Sequence, residues 1–157
     1  MEISFTKKGV NTQIISCRRM DGTITWMHID SFFIIHDICH YAVESALKFK
    51  NAFYGMLASG IAIADFEMPK EKRTFHLTEE AIYTEQIVNL LTIEYSQRPM
   101  ENFLDTLNEI CHKMAIPLAL TVLDQTKLLQ IRLSVELLMK RWDLLPEGET
   151  ITLIFEE

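Results

Sequence analysis

The sequence predicts an α+β fold: a small antiparallel sheet, made from an N-terminal hairpin and a C-terminal strand, covered by about five helices. Alternating and β-branched stretches lie at the two ends of the chain, and helical periodicity fills the middle. Strands do not alternate with helices, which disfavours a doubly wound α/β sheet. The 157 residues are read as a single domain, 1–157, a length that one core can fill.

Ile3 and Phe5 alternate with polar neighbours, and residues 12–19 are rich in β-branched side chains. Asp21-Gly22 follows, a strong hairpin signal because both residue types tolerate positive φ. On the return strand, 23–29, Ile24, Trp26 and His28 share one face and Thr25, Met27 and Ile29 the other. Asp30 or Ser31 can cap a helix over 31–48. The uncharged run 51–64 contains Gly55 and Gly60 and predicts one small-residue helix packed inside the core, the most buried element. It is too short for the ~20 residues of a membrane span. Residues 65–77, with Pro69 and the run Lys70-Glu71-Lys72-Arg73, suit an exposed loop. Thr78, followed by Glu79 and Glu80, starts a helix that reaches about residue 96. Pro99 opens the next, with Phe103, Leu107, Ile110 and Met114 buried at 4-3-4 spacing. Pro117 breaks the chain, and a long helix runs over 121–142. Pro146 and Gly148 end it, and the alternation in 149–156 reads as a closing strand. Trp26 and Trp142 are expected in the core or covering the sheet.

The composition excludes several functions. A net charge of −7 and a pI of about 5.2 repel phosphate backbones and anionic lipid, so neither nucleic acid nor membrane is an expected partner. Lys7-Lys8, Arg18-Arg19 and Lys140-Arg141 are isolated basic pairs that solvation explains. The cysteines Cys17, Cys39 and Cys111 form no C-x-x-C pair, and their odd number argues against a disulfide framework. The first residues show no basic stretch followed by an apolar one, so the expected location is cytoplasmic. No G-x-S-x-G, phosphate-binding or dinucleotide glycine pattern occurs.

One constellation carries chemistry. In His36-Asp37-Ile38-Cys39-His40-Tyr41-Ala42-Val43-Glu44, the residues His36, His40 and Glu44 recur every fourth position and line one helical face. Two imidazoles at i and i+4 can share an ion, as in H-E-x-x-H zinc helices; here Asp37 occupies the glutamate's place as a candidate general base. Three ligands on one straight helix would spread over about 12 Å, too far for Glu44 to complete the set comfortably. A third ligand is therefore expected from another element, with His28, Asp65, Glu67 and His76 as candidates. Tyr41 and Glu44 are candidate assisting groups. Cys39 points to the apolar side and is not an expected nucleophile. The competing reading is an amphipathic helix with a solvated polar face. Phe33 and Leu47 lie on that polar side, which argues that the face is partly covered.

The stretch 32–44 and the ending 142–155, with Leu145-Pro146-Glu147-Gly148-Glu149 before a strand, resemble a family of small uncharacterised bacterial proteins with an H-D-x-x-H-Y-A-V-E helix. The resemblance implies a coherent family but no activity, substrate or ligand set. Two functions are expected from the residues. One is a metal-binding protein, a metal-dependent hydrolase in which His36 and His40 hold a divalent ion such as zinc and Asp37, Tyr41 and Glu44 assist. The alternative is a non-catalytic binding or assembly module. The partner expected is a small-molecule or peptide ligand, or a second copy of the chain against the polar face of the helix.

Overall fold

The structure, a computed structural model, describes residues 1–156. Four strands form one antiparallel sheet: β1 (Glu2–Lys7), β2 (Thr12–Arg18), β3 (Ile24–Asp30) and β4 (Thr150–Ile154), in the order β3-β2-β1-β4. The β2–β3 turn is the predicted Asp21-Gly22 hairpin, where Gly22 takes φ +84° and Asp21 Oδ1 accepts the Thr23 N–H at 2.9 Å. The closing strand pairs with β1, setting Phe5 opposite Ile151 and Ile3 opposite Leu153. Those four side chains, with Ile15 and Cys17, form the buried face. The opposite face mixes polar side chains with exposed Ile24, Trp26 and Ile154, and Ser4 and Thr6 bond Thr152 and Thr150 across it at 3.3 and 2.8 Å. Of the two places expected for the tryptophans, Trp26 lies on this outer sheet face, 57% exposed, and Trp142 is buried in the core.

Helix α1 (Ser31–Leu47) is capped by Asp30, whose carboxylate accepts the Phe32 N–H at 2.9 Å. It packs against the sheet on one side and against α4 (Glu79–Ser96) and α6 (Gln125–Leu144) on others. Ile34, Ile38, Ala42 and Val43 are buried, and so are Asp37, His40 and Glu44. The polar half of α1 is therefore covered, and the expectation of a solvated face does not hold.

The predicted helix 51–64 is two short ones, α2 (Phe53–Ala58) and α3 (Ile63–Phe66), which raises the helix count from about five to six. The break comes at Gly60, which takes φ +117° and turns the chain. Tyr54 and Leu57 are fully buried as expected, whereas Ile61 is only half-buried. Gly55 permits a close approach, but to the preceding loop: a Cβ there would stand 2.1 Å from the Lys50 carbonyl oxygen. Helix α5 (Phe103–Lys113) starts four residues after Pro99 and buries Phe103, Leu107 and Cys111; Met114 is 48% exposed, so the expected 4-3-4 stripe is a 4-4 one. Among the described residues no helix is long and apolar enough to cross a membrane.

The segment 65–77 is less open than its charge predicts. Arg73 is half-buried, donating through Nε to the Met68 carbonyl at 2.8 Å and through Nη2 to that of Phe66 at 2.6 Å. Phe66 packs between Phe53, edge-on, and Phe75, tilted, with both ring centroids 4.9 Å away. The loop thereby becomes one wall of a cavity whose opposite side is α1.

Candidate metal centre

Helical spacing places His36 and His40 on adjacent turns of one face of α1, with ring centroids 4.8 Å apart. A third group comes from outside that helix. Glu85, on α4, reaches across so that Oε1 lies 3.6 Å from His36 Nε2 and Oε2 lies 3.3 Å from His40 Nε2. One ligand atom from each of the three residues falls within 4.8 Å of the others, a group able to hold a metal ion.

The other nitrogen of each ring is also occupied. His36 Nδ1 lies 3.2 Å from Asp37 Oδ1, and His40 Nδ1 lies 3.2 Å from Glu44 Oε1. An ionised carboxylate only accepts, so each Nδ1 carries a proton and donates it. Glu85 likewise accepts from each Nε2, so without a metal both rings hold two protons. When Nε2 gives up its proton, the Nδ1 donation fixes the tautomer whose Nε2 lone pair faces the centre, the arrangement that orients imidazole ligands on metals. Glu44 is fixed in turn: its Oε2 accepts the N–H groups of Tyr54 at 2.9 Å and Gly55 at 3.3 Å. The tight approach at Gly55 thus serves to bring α2 onto the carboxylate that aims His40.

The charges reinforce one another. Burial works against a charged His36, but hydrogen bonding to Asp37 and the facing Glu85 outweigh it and raise its pKa from 6.5 to about 9. His40 is raised in the same way against its burial, by Glu44 and Glu85. The two imidazoles hold the Glu85 carboxyl well below the usual carboxylate range. Burial pushes Glu44 upward, opposed by His40 and the two backbone N–H groups. Burial also drives the Cys39 thiol up to about 12, consistent with an inert core cysteine.

The cluster opens into a cavity of about 460 Å³, within the range of small-molecule sites. Asp37 lines it alongside His36, His40 and Glu85. Aromatic rings crowd the imidazoles: Phe53 lies 5.1 Å from His40 and Phe33 lies 6.1 Å from His36.

The structure thus brings His36, His40 and Asp37 together as expected. Glu44 stands behind His40, away from the ligand centre. Tyr41 is placed elsewhere, donating its hydroxyl to the Ile154 carbonyl at 3.1 Å beside β4. Of the expected third ligands, His28 and Glu67 line the same cavity outside the cluster. Asp65 instead accepts the Ala62 N–H at 3.0 Å, capping α3, and His76 is exposed. Glu85 was not anticipated. Its one signal is position: it follows buried Ala81 by four residues and precedes buried Val88 by three, at the margin of the α4 apolar stripe. Comparison with known proteins adds no assignment, since no family model, curated protein or solved structure matches the chain.

Proposed function

We propose that the chain is a metal-dependent hydrolase whose divalent ion is held by His36 Nε2, His40 Nε2 and a carboxylate oxygen of Glu85. The observation that carries this reading is the convergence of two Nε2 atoms and one carboxylate, with a separate carboxylate behind each Nδ1. Two imidazoles and one carboxylate suit zinc in a catalytic site and also suit ferrous iron. When bound, such an ion supplies a Lewis acid that lowers the pKa of water by several units.

The remaining work belongs to the chain. Asp37 holds the His36 Nδ1 proton and, facing the cavity, accepts a proton from water as general base. Glu44, fully buried, holds the His40 Nδ1 proton and fixes the ring plane. Phe53 and Phe33 limit water around the imidazoles, which strengthens every charge interaction there. On this reading H-D-x-x-H-Y-A-V-E is a metal helix that carries its own supporting carboxylates.

One observation favours a second reading, a non-catalytic module. All four ring nitrogens face carboxylates, so the cluster is also a self-consistent network of ion pairs. Elemental analysis after dialysis against zinc, manganese and ferrous iron separates the two. The metal reading expects one ion per chain in the wild type and none in His36→Ala/His40→Ala. A wild-type protein that retains no ion under any loading condition supports the network alone.

A further inference from the structure

We propose that the cavity beside the cluster binds a small carboxylic acid with an aromatic or branched apolar body, and that Arg73 holds its carboxylate. Calling this acid the substrate rests on the metal reading above; its binding does not. Arg73 is the one Lys or Arg side chain lining the cavity. Its guanidinium is anchored through Nε and Nη2 to the carbonyls of Met68 and Phe66, which leaves Nη1 without a protein acceptor among the described residues. No carboxylate of the described residues forms an ion pair with it, although Glu67 lines the same wall. A fixed, half-buried guanidinium with no anion is prepared for one supplied by a ligand.

The walls define the rest of the molecule. Phe53 and Phe66 stand 4.9 Å apart as one wall, and Phe33 and Leu77 remain 48% and 43% exposed at the cavity while lining it. An apolar body between them removes that surface from water, which is the driving force for binding here. At roughly 30 Å³ per water volume, a 460 Å³ cavity holds about 15 water volumes, room for a molecule of up to about 15 heavy atoms. The chain's net charge and the lining carboxylates Asp30, Asp37, Glu67 and Glu85 disfavour an anionic ligand, and His36 and His40 are already paired with carboxylates. Arg73, the cation on the lining that no described carboxylate pairs, is therefore the feature that selects one.

The test uses 4-phenylbutyrate and its uncharged amide, titrated calorimetrically into the full chain, zinc-loaded and metal-free. The acid is expected to bind wild type at least tenfold more tightly than the amide in both forms. Arg73→Gln is expected to abolish that preference with zinc content unchanged, and Arg73→Lys to retain part of it. Equal affinity for acid and amide in wild type, no binding of either, or a preference that survives Arg73→Gln would each overturn the proposal. If Arg73→Gln unfolds the 66–73 wall, the wild-type comparison together with Arg73→Lys decides. Absence of stoichiometric zinc, manganese and ferrous iron in wild type defeats the metal reading and leaves the acid–amide comparison intact on metal-free protein.

Discussion

Helix α4 carries two clusters of charge, and they are built differently. Toward its C-terminus, buried Glu94 meets Arg132 of α6: Arg132 Nε donates to it at 3.0 Å, Nη2 donates to it as well, and the Met100 N–H completes the set at 2.6 Å. One anion faces one cation, and both carboxylate oxygens are used. Nearer its N-terminus, Glu85 joins Asp37 and Glu44 around two imidazoles, three carboxylates against two bases. A balanced pair with every atom occupied ties α4 to α6 and needs nothing further. A cluster with surplus negative charge, two converging Nε2 atoms and an open cavity is arranged to take up a cation. Exchanging two imidazole protons for one divalent ion leaves the net charge of that cluster unchanged, so metal loading costs it no electrostatic balance.

Removing one ligand from the metal cluster and one carboxylate from the ion pair should have unequal effects on metal affinity. Glu85→Gln or His40→Ala should lower zinc affinity by more than the ~10–100-fold typical of losing a supporting partner, because a ligand itself is lost. Glu94→Gln should leave affinity within about twofold, the scatter expected for a site away from the metal. Competition with a chromophoric chelator reads both, and equal losses in the two variants would erase the distinction drawn between the clusters. The converse change is Arg132→Met, which leaves Glu94 buried beside a single backbone donor. It should cost about 3 kcal/mol in urea denaturation, the low end for a broken buried pair because Arg132 is 24% exposed, with zinc content unchanged.

The supporting carboxylates sharpen the comparison at a smaller magnitude. Asp37→Asn and Glu44→Gln keep the shapes that hold His36 and His40 but weaken the pull on each Nδ1 proton. Each should lower zinc affinity by about 10–100-fold while the ion count at saturation stays at one. Glu44→Gln should have the larger effect, since Glu44 is fully buried and also receives the Tyr54 and Gly55 N–H groups. Indifference of zinc affinity to both substitutions would show that Nδ1 orientation does not contribute.

How much of this was legible in the sequence follows the range of the forces involved. The Asp21-Gly22 hairpin, the alternation of 149–156 and the i, i+4 histidines are local patterns, and each appears where it was read. The break at Gly60 was not legible, because an uncharged run with good apolar content looks continuous until the turn conformation is known. Glu85 was hidden for a different reason. It lies far along the chain from His40, and on its own helix it marks only the edge of an apolar stripe. The covering of the α1 polar face depends on α4 and α2 arriving there, and Phe33 and Leu47 on the polar side are its local traces. Arg73 sat in a charged run whose other members are exposed, and only its two backbone acceptors distinguish it.

The smallest expected effect concerns pH and distinguishes the two states of the His cluster from the pair at Glu94. In metal-free protein the folded-state pKa of His36 is raised from 6.5 to about 9 and that of His40 is raised in the same direction. A raised folded pKa means that the native state binds the proton more tightly than the unfolded chain does, which stabilises it wherever that proton is bound. That contribution is fully present below pH 6.5 and is lost as pH rises through about 9. Glu85 does not confuse this window, because its lowered pKa contributes stability that is lost only under acid conditions. Metal-free wild type should therefore melt a few degrees lower at pH 9 than at pH 6.5, since about 1 kcal/mol moves the melting temperature of a domain this size by roughly 2–4 °C. Saturating zinc should cancel or reverse the trend, because ligation requires both Nε2 atoms unprotonated and is favoured as pH rises. His36→Gln/His40→Gln should remove the slope in both conditions, and Arg132→Met should lower the whole curve without changing its slope. A metal-free melting temperature that rises from pH 6.5 to 9 would contradict the protonated network, and a slope unaffected by zinc would contradict the exchange of protons for metal.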